Sequence, residues 1–85
     1  MDIFMLAAII ADGGFETIRD LVETVDEIED AHDQFWMMVD DGKGIKIYEP
    51  EDIDGFSDKM LSKKIKDISA TSNSKYCTVT AHIKI

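Results

Sequence analysis

The sequence predicts an α+β domain in which an antiparallel sheet carries two helices on one face. Three observations lead there: an unbroken apolar run at residues 3–11, a stretch from Phe15 in which apolar side chains recur at three- and four-residue steps, and a C-terminal stretch in which they alternate. A period near 3.6 marks a helix with one face on a core, and a period of two marks a half-buried strand.

Residues 3–11 end at Asp12-Gly13-Gly14 and read as a strand buried on both faces, with Phe4, Leu6 and Ile10 on one side. A buried helical turn has the same apolar content, so periodicity alone leaves that alternative open. Next, Phe15, Ile18, Leu21, Val22, Val25, Ile28, His32 and Phe35 predict one amphipathic helix over residues 15–33. A competing parse makes residues 15–22 a strand and starts the helix after Thr24, whose spacing to Glu27 fits a capping box. The alternation in 15–22 is poor, which favours the long helix. Residues 35–40 and 45–49 flank Asp41-Gly42-Lys43-Gly44, and Asp-Gly between apolar runs signals a hairpin because both residues tolerate positive φ.

Pro50 closes that hairpin. Ser57 is placed to cap a second helix whose stripe is Met60, Leu61, Ile65 and Ile68, and residues 69–74 read as a loop. Cys77, Val79, Ala81, Ile83 and Ile85 then alternate with polar residues in a last strand. The order β-α-β-β-α-β is that of a ferredoxin-like sandwich. No repeat or Gly/Ser/Pro linker divides the 85 residues, so residues 1–85 form one domain.

Charge is unevenly placed. Between residues 12 and 58 sixteen Asp and Glu face only Arg19, Lys43 and Lys46, whereas between 59 and 85 six Lys face only Asp67; the whole chain carries −9. Such a field repels nucleic acid and anionic membranes and attracts basic surfaces. The single Cys77 excludes an internal disulfide framework and points to a reducing, cytoplasmic setting. The run at 3–11 is too short to span a bilayer and lacks the basic start of a signal peptide.

On the expected long helix, Glu16, Asp20, Glu23, Glu27 and Asp30 fall within about 80° of one another, opposite the apolar stripe, with Asp26 and Asp33 extending the edge. Charges three or four residues apart on a helix repeat every ~5–6 Å, close to the phosphate spacing along one nucleic-acid strand. These seven are the candidate partner-binding residues, and a solvated helix face is the competing reading. The expected sheet has a second, uncovered face, where Phe4, Leu6, Ile10, Trp36 or Met37, Tyr48 and Tyr76 are candidates for a homodimer interface or a heterologous docking site.

No catalytic set assembles locally. Cys77 and His82 lie five apart on the expected strand and point to opposite faces, and His32 sits in the apolar stripe as a core-edge residue. The acidic stretch 49–55 lacks the ligand ladder of a calcium loop. No catalytic residue, metal or cofactor is therefore assigned, and an enzyme would need His32 or His82 joined by distant partners.

Small, acidic, compact and without cofactor motifs, the chain resembles the phage and mobile-element proteins that inhibit host nucleic-acid-binding factors, including anti-restriction and anti-CRISPR DNA mimics. That resemblance lies in composition and layout and transfers no residue. It implies a non-enzymatic inhibitor whose partner is a basic, nucleic-acid-binding host protein; a dimeric module associating through the sheet is the alternative.

Overall fold

In a computed structural model describing residues 1–85, the N-terminal apolar run is a helix, α1 (Ile3–Asp12), not a strand. Its flanks decide the matter. The Asp2 carboxylate accepts hydrogen bonds from the N–H groups of Phe4 (2.9 Å) and Met5 (3.4 Å), supplying partners to two of the four orphan donors of a first helical turn. Leu6, Ala7 and Ala8 are strong helix formers, and Gly14, at φ 60, turns the chain after the last turn. Gly13 is required for space: a Cβ there would lie 2.3 Å from the Phe15 ring and 2.9 Å from the Ile9 carbonyl oxygen.

The long helix expected over residues 15–33 is cut to α2 (Ile18–Asp26). Thr17 stops it from starting earlier. Its hydroxyl accepts from the Asp20 N–H (3.3 Å) while its own N–H donates to the Asp20 carboxylate (3.2 Å), forming a capping box three residues long. Before the cap the chain is extended. Ile18 N–H donates to the Lys63 carbonyl (3.0 Å) and Ile65 N–H to the Glu16 carbonyl (2.9 Å), so Thr17 and Lys64 form a single antiparallel bridge. The competing parse therefore holds only for that bridge, because residues 18–22 are helical. Beyond α2, Asp30 at φ 63 redirects the chain into a short 3₁₀ turn (His32–Gln34).

The hairpin forms as expected from β1 (Phe35–Asp40) and β2 (Ile45–Tyr48). The Asp41 carboxylate accepts from the N–H groups of Lys43 (2.8 Å) and Gly44 (3.0 Å), and Gly42 takes φ 87. Pro50 opens a short helix, α3 (Pro50–Asp54), and Ser57 caps another, α4 (Asp58–Leu61), which ends seven residues before Ile68, the last member of the expected stripe. Residues 67–73, expected as helix end and loop, form β3 (Asp67–Asn73), and β4 (Thr78–Lys84) closes the chain.

The sheet order is β2-β1-β4-β3, with β1 parallel to β4 and both outer pairs antiparallel. The fold is α+β with a four-stranded mixed sheet and four helices, and it differs from the expected βαββαβ order. With no first strand, the chain builds two hairpins and joins them side by side through β1 and β4.

Every buried strand residue lies on one face: Phe35, Met37 and Val39 from β1, and Val79, Ala81 and Ile83 from β4. They meet Ile3, Leu6 and Ile10 of α1, Ile18, Leu21 and Val25 of α2, and Ile53 of α3 in one core cluster. Small side chains at Ala70 and Ala81, which are cross-strand partners, lie beneath α1, which packs on β3 and β4, while α3 packs on β1 and β2. Burying each large member contributes about 1.5–3 kcal/mol of transfer free energy. No helix is long and apolar enough to cross a membrane.

Candidate interaction surface

The buried face of α2 fixes what its other face presents. With Ile18, Leu21 and Val25 in the core, Asp20, Glu23 and Asp26 are exposed, and Glu27, in right-handed helical backbone at the C-cap, continues the row. Glu16, Asp30 and Asp33 are also exposed, but the capping box leaves Glu16 outside the helix, and the turn at Asp30 takes it and Asp33 off the helical repeat. The regular ~5–6 Å spacing expected for five carboxylates is thus kept by Asp20, Glu23 and Glu27 alone.

Few cations relieve this charge. Arg19, the one basic residue on α2, reaches Asp58 at 3.5 Å, and the remaining ion pairs both belong to His32. Of the seven expected contact residues only Asp33 has a cationic partner within 4.0 Å. Tertiary folding adds a carboxylate that chain position hides. Asp54 of α3 shares with Glu23 and Asp26 a hollow of about 210 Å³ between α2 and α3, with Arg19 at its rim.

His32 is not the core-edge residue that the periodicity suggests. It is exposed, with Nδ1 2.9 Å from the Asp33 carboxylate and Nε2 2.8 Å from both oxygens of Asp54. Hydrogen bonds from Asp33 and then Asp54 raise its pKa above the ordinary histidine value, because both favour the imidazolium. The residue clasps the 3₁₀ turn to α3 across 22 positions of sequence. In stretch 49–55 the Asp52 carboxylate accepts from the Glu49 N–H (3.2 Å), so two of its carboxylates serve local structure. Asp41 titrates below its ordinary value, held ionised by the Lys43 and Gly44 N–H groups.

Residues expected on the uncovered sheet face scatter. Leu6 and Ile10 are fully buried on the inner side of α1, a correction that follows from helix replacing strand, and Phe4 is exposed on that helix's outer side. Tyr48 pairs with the core residue Met37 and so faces the helical layer, edge-on to Phe56 with ring centroids 5.0 Å apart. Tyr76 projects from the β3–β4 turn, with the Lys75 ammonium 5.4 Å from its ring.

Trp36 alone of the six is on the uncovered face, and Met37 is in the core. Beside Trp36 lie Met38, Ile45 and Ile47, identified by their register, with both isoleucines more than 60% exposed. Alternation within residues 35–40, carried across the hairpin, contains that information. The β4 half of the same face is polar: His82 Nε2 is 2.8 Å from the Thr71 hydroxyl. Cys77 lies in the turn at φ 56, not on the strand with His82.

No family model, curated protein or solved structure matches the chain.

Proposed function

We propose that this protein is a non-enzymatic inhibitor or regulator that binds a basic, nucleic-acid-binding protein through the acidic surface built on α2. The observation that carries this reading is the row Asp20, Glu23, Asp26 and Glu27, exposed on a helix anchored by three buried side chains and without a cation within 4.0 Å. Like charges at this spacing cost a few tenths of a kcal/mol per pair, a cost that a basic partner removes on binding. Glu16, Asp30 and Asp33 form the outer contacts, and Asp54 widens the surface toward α3. The full charge of −9 steers such a partner from a distance and keeps nucleic acid itself away.

The supporting experiment is affinity capture from the native host with wild type and with Glu23→Lys/Glu27→Lys, at low and high salt. A basic protein retained by wild type at low salt, released at high salt and missed by the double variant supports the reading. The purified protein should then lose its nucleic-acid binding in the presence of wild type only.

A second reading rests on a different face. Trp36, Met38, Ile45 and Ile47 present apolar surface that no helix covers, which favours a module docking or dimerising through the sheet. Sedimentation showing a dimer that Ile47→Lys dissociates would favour it, and a wild-type monomer at tens of micromolar would count against it.

A further inference from the structure

Against the acidic character of the whole, three lysines line one hollow beside the β1–β2 turn. Lys43 in the β1–β2 turn, Lys46 on β2 and Lys63 just after α4 line a hollow of about 380 Å³ whose apolar floor includes Val39, Tyr48 and Met60. Folding creates this arrangement. Lys46 pairs with the core residue Val39 and so points toward the helical side of the sheet, where it stays exposed on the edge strand and shares the hollow with Met60 of α4. None of the three ammonium groups has a carboxylate within 4.0 Å. The single acidic residue on the wall, Asp41, already accepts two backbone hydrogen bonds from the turn.

We propose that this hollow binds a small organic phosphate, its anionic head between Lys43, Lys46 and Lys63 and a flat apolar body against Tyr48 and Met60. The volume is that of a small-molecule site, and a few charged groups above an apolar floor is the usual composition of one. Lysine binds phosphate as a point charge, so three flexible ammonium groups meet a dianion without demanding one fixed geometry. The overall charge of −9 opposes the anion's approach, but charges farther than about 8–10 Å are screened at physiological ionic strength, so within the hollow the lysines lining it weigh most. The site is separate from the α2 surface.

The test is an amide NMR titration of the full chain with phenyl phosphate, set beside inorganic phosphate and phenol. Phenyl phosphate should move the amides of Lys46, Tyr48, Met60 and Lys63 in a saturable way, at least about tenfold more tightly than either fragment. Lys46→Gln/Lys63→Gln should weaken it by a further factor of about ten or more with the melting temperature unchanged, since both lysines are exposed and unpaired. Three outcomes would each overturn the proposal: no localised saturable shift up to about 10 mM, the affinity of an ordinary surface encounter; equal affinity for inorganic and phenyl phosphate; or an unchanged constant in the double variant.

Discussion

α1 and α2 do the same work inward and opposite work outward. Both set three large aliphatic residues into one core: Ile3, Leu6 and Ile10 from α1, and Ile18, Leu21 and Val25 from α2. Outward, α1 shows Phe4 and Met5, each at least 60% exposed, while α2 shows only carboxylates beside Arg19. The inner faces are interchangeable in kind because packing asks only for volume and apolarity. The outer faces are free of that demand, so their chemistry distinguishes one surface from another.

The largest effects should fall on the inner faces and be alike for both helices. Leu6→Ala and Leu21→Ala each remove a fully buried side chain, with an expected loss of about 2–5 kcal/mol, a large fraction of the stability of so small a domain. Thermal or denaturant melts check this, and a loss confined to one helix would break the symmetry. Next comes the turn joining them. Gly13→Ala pushes a methyl group against the Phe15 ring and the Ile9 carbonyl oxygen, with an expected loss of about 1–3 kcal/mol read in the same melts.

The outer faces should matter little for stability. Phe4→Ser and Glu23→Lys/Glu27→Lys should each stay within about 0.5 kcal/mol of wild type, since the charge reversal makes the i,i+3 contacts with Asp20 and Asp26 attractive while positions 23 and 27 remain a like-charged i,i+4 pair and position 23 now opposes Arg19. A large loss in either would show that the exposed side is structural after all.

The smallest effect is the pH response of His32. Its pKa is raised in the folded state, so its contribution is full below the ordinary value of 6.5 and is lost as pH rises through the folded pKa. Melts of wild type and His32→Gln should therefore differ most in mild acid and converge as pH rises. A difference that grows with pH would contradict the clasp.

What could be read in the sequence was whatever had a period or punctuation of its own. The 35–48 hairpin was legible because Asp41-Gly42 sets the turn, and β4 because five apolar residues alternate. α1 was not, since nine consecutive apolar residues have no period; its signal was Asp2 as a cap. Thr17 was a second missed cap, hidden within an apolar stripe that continued past it. β3 carries no such signal because its inward residues Ile68, Ala70 and Ser72 are mostly small, and Ile68 also fits the helical stripe that begins at Met60.

The site was legible in part. All seven carboxylates are exposed, but the helical wheel over residues 15–33 holds only between the breaks at Thr17 and Asp30, which take Glu16, Asp30 and Asp33 off the helix. Asp54, the ion pairs of His32, and the lysine hollow depend on contacts between residues far apart in the chain, which no local pattern encodes.

The most direct test of the claim that α2's outer face is a binding surface is the dissociation constant of the captured basic protein for wild type and Glu23→Lys/Glu27→Lys. It should be measured at about 50 mM and about 300 mM salt, which bracket the range over which surface charges are screened. Wild type should weaken steeply between the two salts, and the double variant should bind at least about tenfold more weakly at the lower one while melting at the wild-type temperature. Equal affinity of the two proteins, with a flat response to salt, would contradict it.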